Sequence, residues 1–403
     1  MIQIAGGVCA AKGFTANGIH CGVRKNKSKR DVALIVSEVP ASAAAVYTRN
    51  LVKGAPLAVT KKHLENGKAR AILCNSGNAN TCNADGEEVA EKMCALAAAE
   101  LGIDPSDVVV ASTGVIGQPL DITPIAAGMK ALAAGLGAHS DFAAEGIMTT
   151  DTRMKEVAFS FTVGGKECHI GGIAKGSGMI HPNMATMLVF ITTDAAISPA
   201  MLGKALSADI KDSFNMISVD GDTSTNDLVT VLANGKSGAP EITEEGDDYN
   251  AFCEALAAVT KTLCRAIAAD GEGATKLLEC SVSGAKDDSA ARVVAKSVVC
   301  SSLLKAAMFG ADANWGRVLC AVGYSGADVD VAKVDVDFVS KRGSVSVCRM
   351  GAGIPFSEEL AKEVLSESEI GIRIELNDGD ASATAWGCDL TYDYVKINGD
   401  YRT

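Results

Sequence analysis

Short apolar runs and alanine-rich stretches take turns along the whole chain. Residues 31–36 and 70–75 are aliphatic runs that predict strands, and 107–112 predicts another that leads into Thr113-Gly114. Residues 86–96 repeat apolar side chains at three-to-four spacing, which predicts an amphipathic helix. The runs 157–163 and 167–171 flank Gly164-Gly165 and predict a β-hairpin. An apolar strand is expected after Thr186, helices near 199–208 and 249–269, and helical periodicity over 297–309. Residues 329–350 alternate in strand fashion around a turn at 341–343, and 234–240 reads as a surface loop. Strands and helices alternating in both halves predict a layered α/β protein.

One junction in this pattern stands out. The glycine-rich stretch 171–178 leads through Pro182 to Ala185 and Thr186, where a β-branched hydroxyl residue opens the apolar run 187–191. A threonine in that place is ordinarily a strand former. The crowding of Gly176, Gly178 and Pro182 before it also permits the unusual dihedrals of a strained peptide. Scission between Ala185 and Thr186 would give one residue a hydroxyl nucleophile and a free α-amine to serve as its base. Such an amine has an ordinary pKa of about 7.7–8.0, so part of it is neutral near physiological pH. On this reading the chain matures into two, residues 1–185 and residues 186–403.

Composition narrows the field. A hydrophobic content of 48% with 21% charged residues belongs to a folded globular protein, and 403 residues can bury a large core. The formal net charge of −12 argues against nucleic acid as a main partner. No secretory signal and no long apolar span is visible, so a cytoplasmic protein without membrane contact is expected. The 13 cysteines are scattered without a C-x-x-C pair, which favours reduced thiols over a disulfide framework or a zinc site. With no H-E-x-x-H helix, no metal is expected.

Other segments supply candidate chemistry. The loop before Thr186 does not satisfy G-x-x-x-x-G-K-[ST], because Ser177 stands where the lysine belongs, so phosphate cradling of that kind is excluded. Lys175 is either a solvated loop lysine or a cation for a substrate carboxylate. Thr113 and Gly114 are either a strand-end turn or a hydroxyl beside an unhindered N–H, suited to stabilising an oxyanion. Glu272, between Gly271 and Gly273, is either a turn residue or a partner for a substrate amino group.

Lys175-Gly176-Ser177-Gly178-Met179-Ile180 followed by Pro182-Asn183-Met184-Ala185-Thr186-Met187-Leu188 closely resembles the processing site of the ornithine acetyltransferase (glutamate N-acetyltransferase) family. The resemblance extends through Asn75-Ser76-Gly77-Asn78-Ala79-Asn80, residues 112–117, Met148-Thr149-Thr150-Asp151-Thr152, residues 270–276, Asn314-Trp315-Gly316-Arg317 and residues 394–403. It implies a four-layer α-β-β-α sandwich related to N-terminal-nucleophile aminopeptidases, self-cleaved into two chains that stay together as a heterotetramer of two of each. It also implies a cytoplasmic enzyme of arginine biosynthesis that moves an acetyl group from N-acetylornithine to glutamate. Carried over, Thr186 is the nucleophile and Thr113 with Gly114 forms the oxyanion hole. Thr149 or Thr150, Lys175, Glu272, Asn398 and Thr403 contact the amino-acid substrate. No cofactor is implied; whether acetyl-CoA is a second donor is left undecided by these residues.

Two other readings use the same features. An amidohydrolase or aminopeptidase with the same N-terminal threonine would send the acyl group to water. A non-catalytic amino-acid-binding protein would cradle a ligand in the glycine loop and keep its chain whole.

Overall fold

A computed structural model of the protein describes residues 1–181 and 187–399. Ala185, Thr186 and Thr403 therefore lie outside the described residues, as does the scission that the sequence analysis expects.

The first half contributes β1 (Ile2–Ile4), β2 (Phe14–Ile19), β3 (Val32–Tyr47), α1 (Ala55–His63), β4 (Lys68–Asn78), α2 (Gly86–Leu101), β5 (Val108–Val115), α3 (Thr123–Ala134), α4 (Ser140–Ile147), β6 (Lys155–Val163) and β7 (Lys166–Lys175). After residue 187 come β8 (Leu188–Thr193), α5 (Pro199–Asp209), β9 (Ile217–Ser218), β10 (Leu228–Ala233), α6 (Asp247–Ala269), β11 (Leu277–Ala285), α7 (Asp288–Cys300), α8 (Ser302–Phe309) and α9 (Trp315–Gly323). The chain closes with β12 (Asp335–Ser340), β13 (Gly343–Arg349), β14 (Ala352–Gly353), α10 (Glu358–Leu365), β15 (Glu369–Glu375), β16 (Ala381–Cys388) and α11 (Tyr392–Asn398).

Among the described residues these strands form two mixed sheets. The first has nine strands in the order β1-β6-β7-β8-β10-β3-β4-β5, with β2 on β3; the second has seven, ordered β14-β13-β12-β15-β11-β16-β9. In the first sheet β8 and β10 run parallel, with Leu188 opposite Leu228, and both are buried along their whole length. Their largely apolar character, interrupted by Thr192, Thr193 and Thr230, follows from that, since a central strand covered on both faces has no polar side to present. β8 pairs on its other side with β7, and β10 on its other side with β3. Strands from after residues 182–186 thus sit between strands from before them in one sheet.

Helices cover the sheets. α4 lies on β2, β3 and β7, α7 packs on β11 and β16, and the long α6 packs on β6 and β7 while also touching β11 and β16. The first sheet's alternation sorts its side chains: Leu34 and Leu73 face α2 and α3, whereas Ile35 and Ile72 share a core with α4. The observed class is the α/β sandwich of sheets and helices that the sequence implies.

The expected hairpin is β6–β7. Gly164 and Gly165 both have positive φ, 54° and 74°, as a two-residue turn matched to strand twist requires. Two expectations need correction. The helical periodicity over 297–309 is not one helix: α7 ends at Cys300, and the Ser301 hydroxyl accepts the Leu304 N–H to start α8. Residues 331–333, expected in a strand, make a 3₁₀ turn capped by the Asp330 carboxylate, which accepts the Ala332 N–H.

A buried ion cluster fixes the loops at one end of the first sheet. Lys155 Nζ, at the start of β6, donates to Asp151 Oδ1 at 2.7 Å and to Asp270 Oδ2 at 2.6 Å. Asp151 also accepts the N–H groups of Thr149 (3.0 Å) and Gly176 (2.7 Å). Asp270, just past α6, accepts the Thr152 N–H at 3.1 Å, and its carbonyl accepts the Ser177 hydroxyl at 2.7 Å. Burial alone would push the Asp151 carboxyl up, but the Lys155 and Lys175 ammonium groups and the Gly176 N–H outweigh it and hold the carboxyl below its usual range.

Removing the cation would take from two buried carboxylates the ammonium they share. Lys155→Met is therefore expected to cost about 3–5 kcal/mol in urea unfolding at neutral pH. A group whose pKa is depressed by folding stabilises above its unfolded value and loses that contribution as pH falls below it. The wild type should accordingly weaken below the ordinary aspartate value of 3.8, and the variant should show a shallower acid dependence.

Candidate functional site

The same end of the first sheet holds a pocket of about 130 Å³. Seven sequence-predicted residues, Thr113, Gly114, Thr149, Thr150, Lys175, Glu272 and Asn398, all line it. They come from five places in the chain, so the fold, not sequence proximity, assembles them.

Thr113 and Gly114 stand at the end of β5, beside the matching end of β4. Gly77 and Gly114 are register partners, and a Cβ added at Gly114 would lie 2.3 Å from the Gly77 carbonyl carbon and 2.5 Å from the Asn78 nitrogen. Gly114 also has φ 133°, which side chains rarely adopt. Glycine here thus lets two strand ends approach.

Lys175 closes β7. Its buried Nζ donates to Thr113 Oγ1 at 3.3 Å, so the threonine hydroxyl accepts from a cation and keeps its own hydrogen to donate. Burial lowers the Lys175 pKa, while Asp151 and Asp227 act to raise it. Asp227 lies just before β10; burial raises its carboxyl well above the usual range. Its Oδ2 has no hydrogen-bond partner among the described residues. Lys175 is therefore not a solvated loop residue: it is a buried cation set between two acids and the Thr113 hydroxyl.

Glu272 follows α6, and its N–H donates to the Ser177 carbonyl at 2.9 Å. Asn398 Nδ2, at the end of α11, donates to Glu272 Oε2 at 2.7 Å. Gly178 makes room for this carboxylate: a Cβ there would lie 2.4 Å from Glu272 Cδ. Thr149 and Thr150 both face the pocket, and the Thr149 N–H is tied to Asp151. On either side of residues 182–186, Ile180 and Met187 line a small adjoining cavity with Thr113, Lys175 and Asp227.

Some wall contacts were given no role by the sequence analysis. Asn226 Nδ2 donates to the carbonyls of Ala79 (2.6 Å) and Ser112 (2.9 Å), and its Oδ1 accepts the Thr81 hydroxyl at 2.6 Å, tying the ends of β4 and β5 to the approach to β10. Met179 takes a positive φ of 55°, held by Asp220, which accepts the Met179 and Ile180 N–H groups at 2.6 and 2.9 Å. Such long-range partners carry no local spacing rule. All thirteen cysteines are free thiols. Among the described residues no group of three or more His, Cys, Asp or Glu is placed to hold a metal ion, and no helix is long and apolar enough to cross a membrane.

A hydroxyl backed by a cation, an unhindered N–H and a carboxylate facing one small pocket suit acyl transfer at an amino acid. The sequence comparisons agree. The ArgJ family model matches residues 15–403. The arginine biosynthesis bifunctional protein ArgJ of Symbiobacterium thermophilum is 53% identical over 406 residues, covering 100% of both chains. The protein of the same name from Bacillus subtilis is 47% identical over 405 residues, covering 100% of this chain and 98% of its own. A crystal structure of the Bacillus halodurans arginine biosynthesis bifunctional protein is 44% identical, with a TM-score of 0.49 over 53% of this chain and 98% of its own. The protein is thus an acyltransferase of α/β sandwich fold. The chain belongs to the ArgJ family.

The two glycines should respond differently to alanine. Gly114→Ala drives a Cβ into backbone, which cannot yield cheaply, and is expected to cost about 1–3 kcal/mol in equilibrium unfolding. Gly178→Ala meets only the tip of a glutamate side chain, so stability should stay within about 0.5 kcal/mol of wild type while the Glu272 carboxylate is displaced. Comparable stability losses in both variants would contradict this account.

Proposed function

We propose that this enzyme moves an acetyl group from N-acetyl-L-ornithine to L-glutamate through an acetyl ester on Thr186, and that Thr186 becomes a chain terminus by self-cleavage after Ala185. The observation that carries the reading is the convergence of Thr113, Gly114, Lys175 and Glu272 on one pocket, beside the residues that flank 182–186.

In the cleavage step the Thr186 hydroxyl attacks the Ala185 carbonyl, the peptide C–N bond gives way to an ester, and water hydrolyses that ester. The freed α-amine is then the base for the adjacent hydroxyl. In turnover the hydroxyl attacks the acetyl carbonyl of N-acetylornithine. The Thr113 hydroxyl and Gly114 N–H receive the developing oxyanion, and ornithine leaves as the amine once the proton is returned to its nitrogen. The glutamate amine attacks the ester in the second half-reaction and regenerates Thr186. Ping-pong kinetics follow from the shared intermediate.

Glu272, steadied by Asn398, faces the free amino group of the substrate, and the Lys175 ammonium draws the substrate carboxylate by a charge-assisted interaction. Thr149, Thr150 and the terminal Thr403 complete the amino-acid site. The mature fragments remain paired as a heterotetramer of two of each in the cytoplasm. The competing reading, an N-terminal-threonine amidohydrolase, shares the nucleophile but needs no glutamate.

Mass spectrometry of freshly purified protein should show fragments 1–185 and 186–403, whereas an intact, fully active chain would refute the mechanism. Thr186→Ala should abolish cleavage and transfer together; Thr186→Ser should keep a part of each. Ornithine release from N-acetylornithine should depend on glutamate, and release unaffected by glutamate would favour the amidohydrolase. Because burial lowers the Lys175 pKa, its charge is lost below the ordinary lysine value of 10.5 as pH rises. KM for glutamate should therefore climb on the alkaline side below that value, and Lys175→Met should remove this limb.

A further inference from the structure

A cavity of about 580 Å³ opens beside His181 and Thr223 and shares no lining residue with the acyl-transfer pocket. Its size suits a small organic ligand. Arg292, Lys296 and Cys300 of α7 line it at four-residue spacing, so one face of that helix presents two cations and a thiol. Lys211, just past α5, adds a third cation. Among the described residues no carboxylate lines this cavity.

The three cations are unequally matched. Arg292 donates through Nε and Nη2 to the Asp212 carboxylate, at 2.6 and 3.0 Å. Lys211 forms no ion pair among the described residues. Lys296 Nζ donates to the carbonyls of Asn215 (2.7 Å) and Ile217 (2.6 Å), which leaves its third hydrogen unused and its charge without a carboxylate among the described residues. Burial pushes Lys296 down to about 8, so at neutral pH it is still an ammonium, one drawn back from water with no counter-ion. His181 does not add to the charge: burial, and then the Lys296 ammonium, push its imidazole down to about 4. A bound anion would relieve the cost of holding such a cation away from water.

Two short segments tie this cavity to the acyl-transfer pocket. The Thr223 hydroxyl donates to the His181 carbonyl at 2.8 Å, and the Val219 N–H donates to the Ile180 carbonyl at 2.7 Å. His181 Nδ1 lies 3.1 Å from Ser218 Oγ and 3.4 Å from Cys300 Sγ. A residue or two along the same segments, Met179 and Ser224 line the acyl-transfer pocket. We propose that the cavity binds a small di- or tricarboxylate that lacks an amino group, and that its occupancy alters acyl transfer through residues 179–181 and 223–226. Cations with no carboxylate among them receive carboxylates but give an ammonium no partner, so zwitterionic amino acids are poorly matched here. The acyl-transfer pocket is the opposite case, with Glu272 facing the same space as Lys175. The binding claim stands apart from the reaction proposed above; the coupling claim rests on it.

The test uses the mature enzyme, citrate as the probe and a Lys211→Gln/Arg292→Gln variant, with Lys211→Gln alone should the pair fail to fold. Calorimetry should show citrate binding to the wild type, with the Kd raised about tenfold in the double variant and raised again by added salt. Cys300, half-buried in the cavity wall, gives a local readout. Saturating citrate should slow its alkylation by N-ethylmaleimide, followed by mass spectrometry, and leave the exposed Cys82 and Cys320 unaffected. Glutamate at the same concentration should not protect Cys300. In acetyl-transfer assays citrate should shift the N-acetylornithine KM about fivefold in the wild type and much less in the variant. No citrate binding, a Kd unchanged in the variant, or equal protection of Cys300 by glutamate would overturn the site; unchanged transfer kinetics at saturating citrate would overturn the coupling. An enzyme that binds citrate through these cations but cannot use N-acetylornithine would instead sink the function proposed above and leave the cavity assignment standing.

Discussion

One buried ammonium organises the pocket end of this molecule. Lys155 joins Asp151, on the loop that carries Thr149 and Thr150, to Asp270, at the turn that carries Glu272. The same two carboxylates accept N–H groups from Thr149, Gly176 and Thr152, so three chain segments are fixed to one point. Charges removed from water are stable only when each is matched, and here the matching is shared across segments that are far apart in sequence. The glycine loop next to Lys175 inherits its position from this cluster.

Lys175 extends the pattern toward the pocket. Its ammonium lies near Asp151 and Asp227 and against the Thr113 hydroxyl, so the residue suited to an oxyanion is polarised from behind by a cation that burial keeps from water. Asp227, with a lone pair left unengaged among the described residues, is a reservoir of acceptor capacity beside the same pocket. Preorganisation of this kind is expensive in isolation, and the ion cluster beneath offsets it.

Features that obey local rules were legible in the sequence: the Gly164-Gly165 hairpin, the buried run of β8, the helix at 86–96 and the residues of the glycine motifs that meet in the pocket. What was not legible is pairing at a distance. Nothing near Lys155 announces Asp270, and nothing near Asn226 announces Ala79 or Ser112, because those contacts depend on how the sheet closes. The break between α7 and α8 shows a subtler limit. Periodicity runs through Ser301 undisturbed, and only the capping hydroxyl marks where one helix stops and the next begins. The second sheet carried a similar ambiguity, since the alternating run beginning at 329 enters its strand only after a 3₁₀ turn.

The order of the first sheet has a consequence for how the molecule comes into being. β8 and β10, both from after residue 187, are wedged between β7 and β3, both from before residue 182. Each half alone exposes long apolar strand edges that only the other half can occupy. The two halves are thus a single folding unit, and synthesising them separately would present each with an unfinished template prone to wrong partners. Continuity of the chain matters during assembly, when it keeps the edges at high effective concentration. Once the ladders have closed, the interleaved strands hold the two segments together through their own backbone hydrogen bonds.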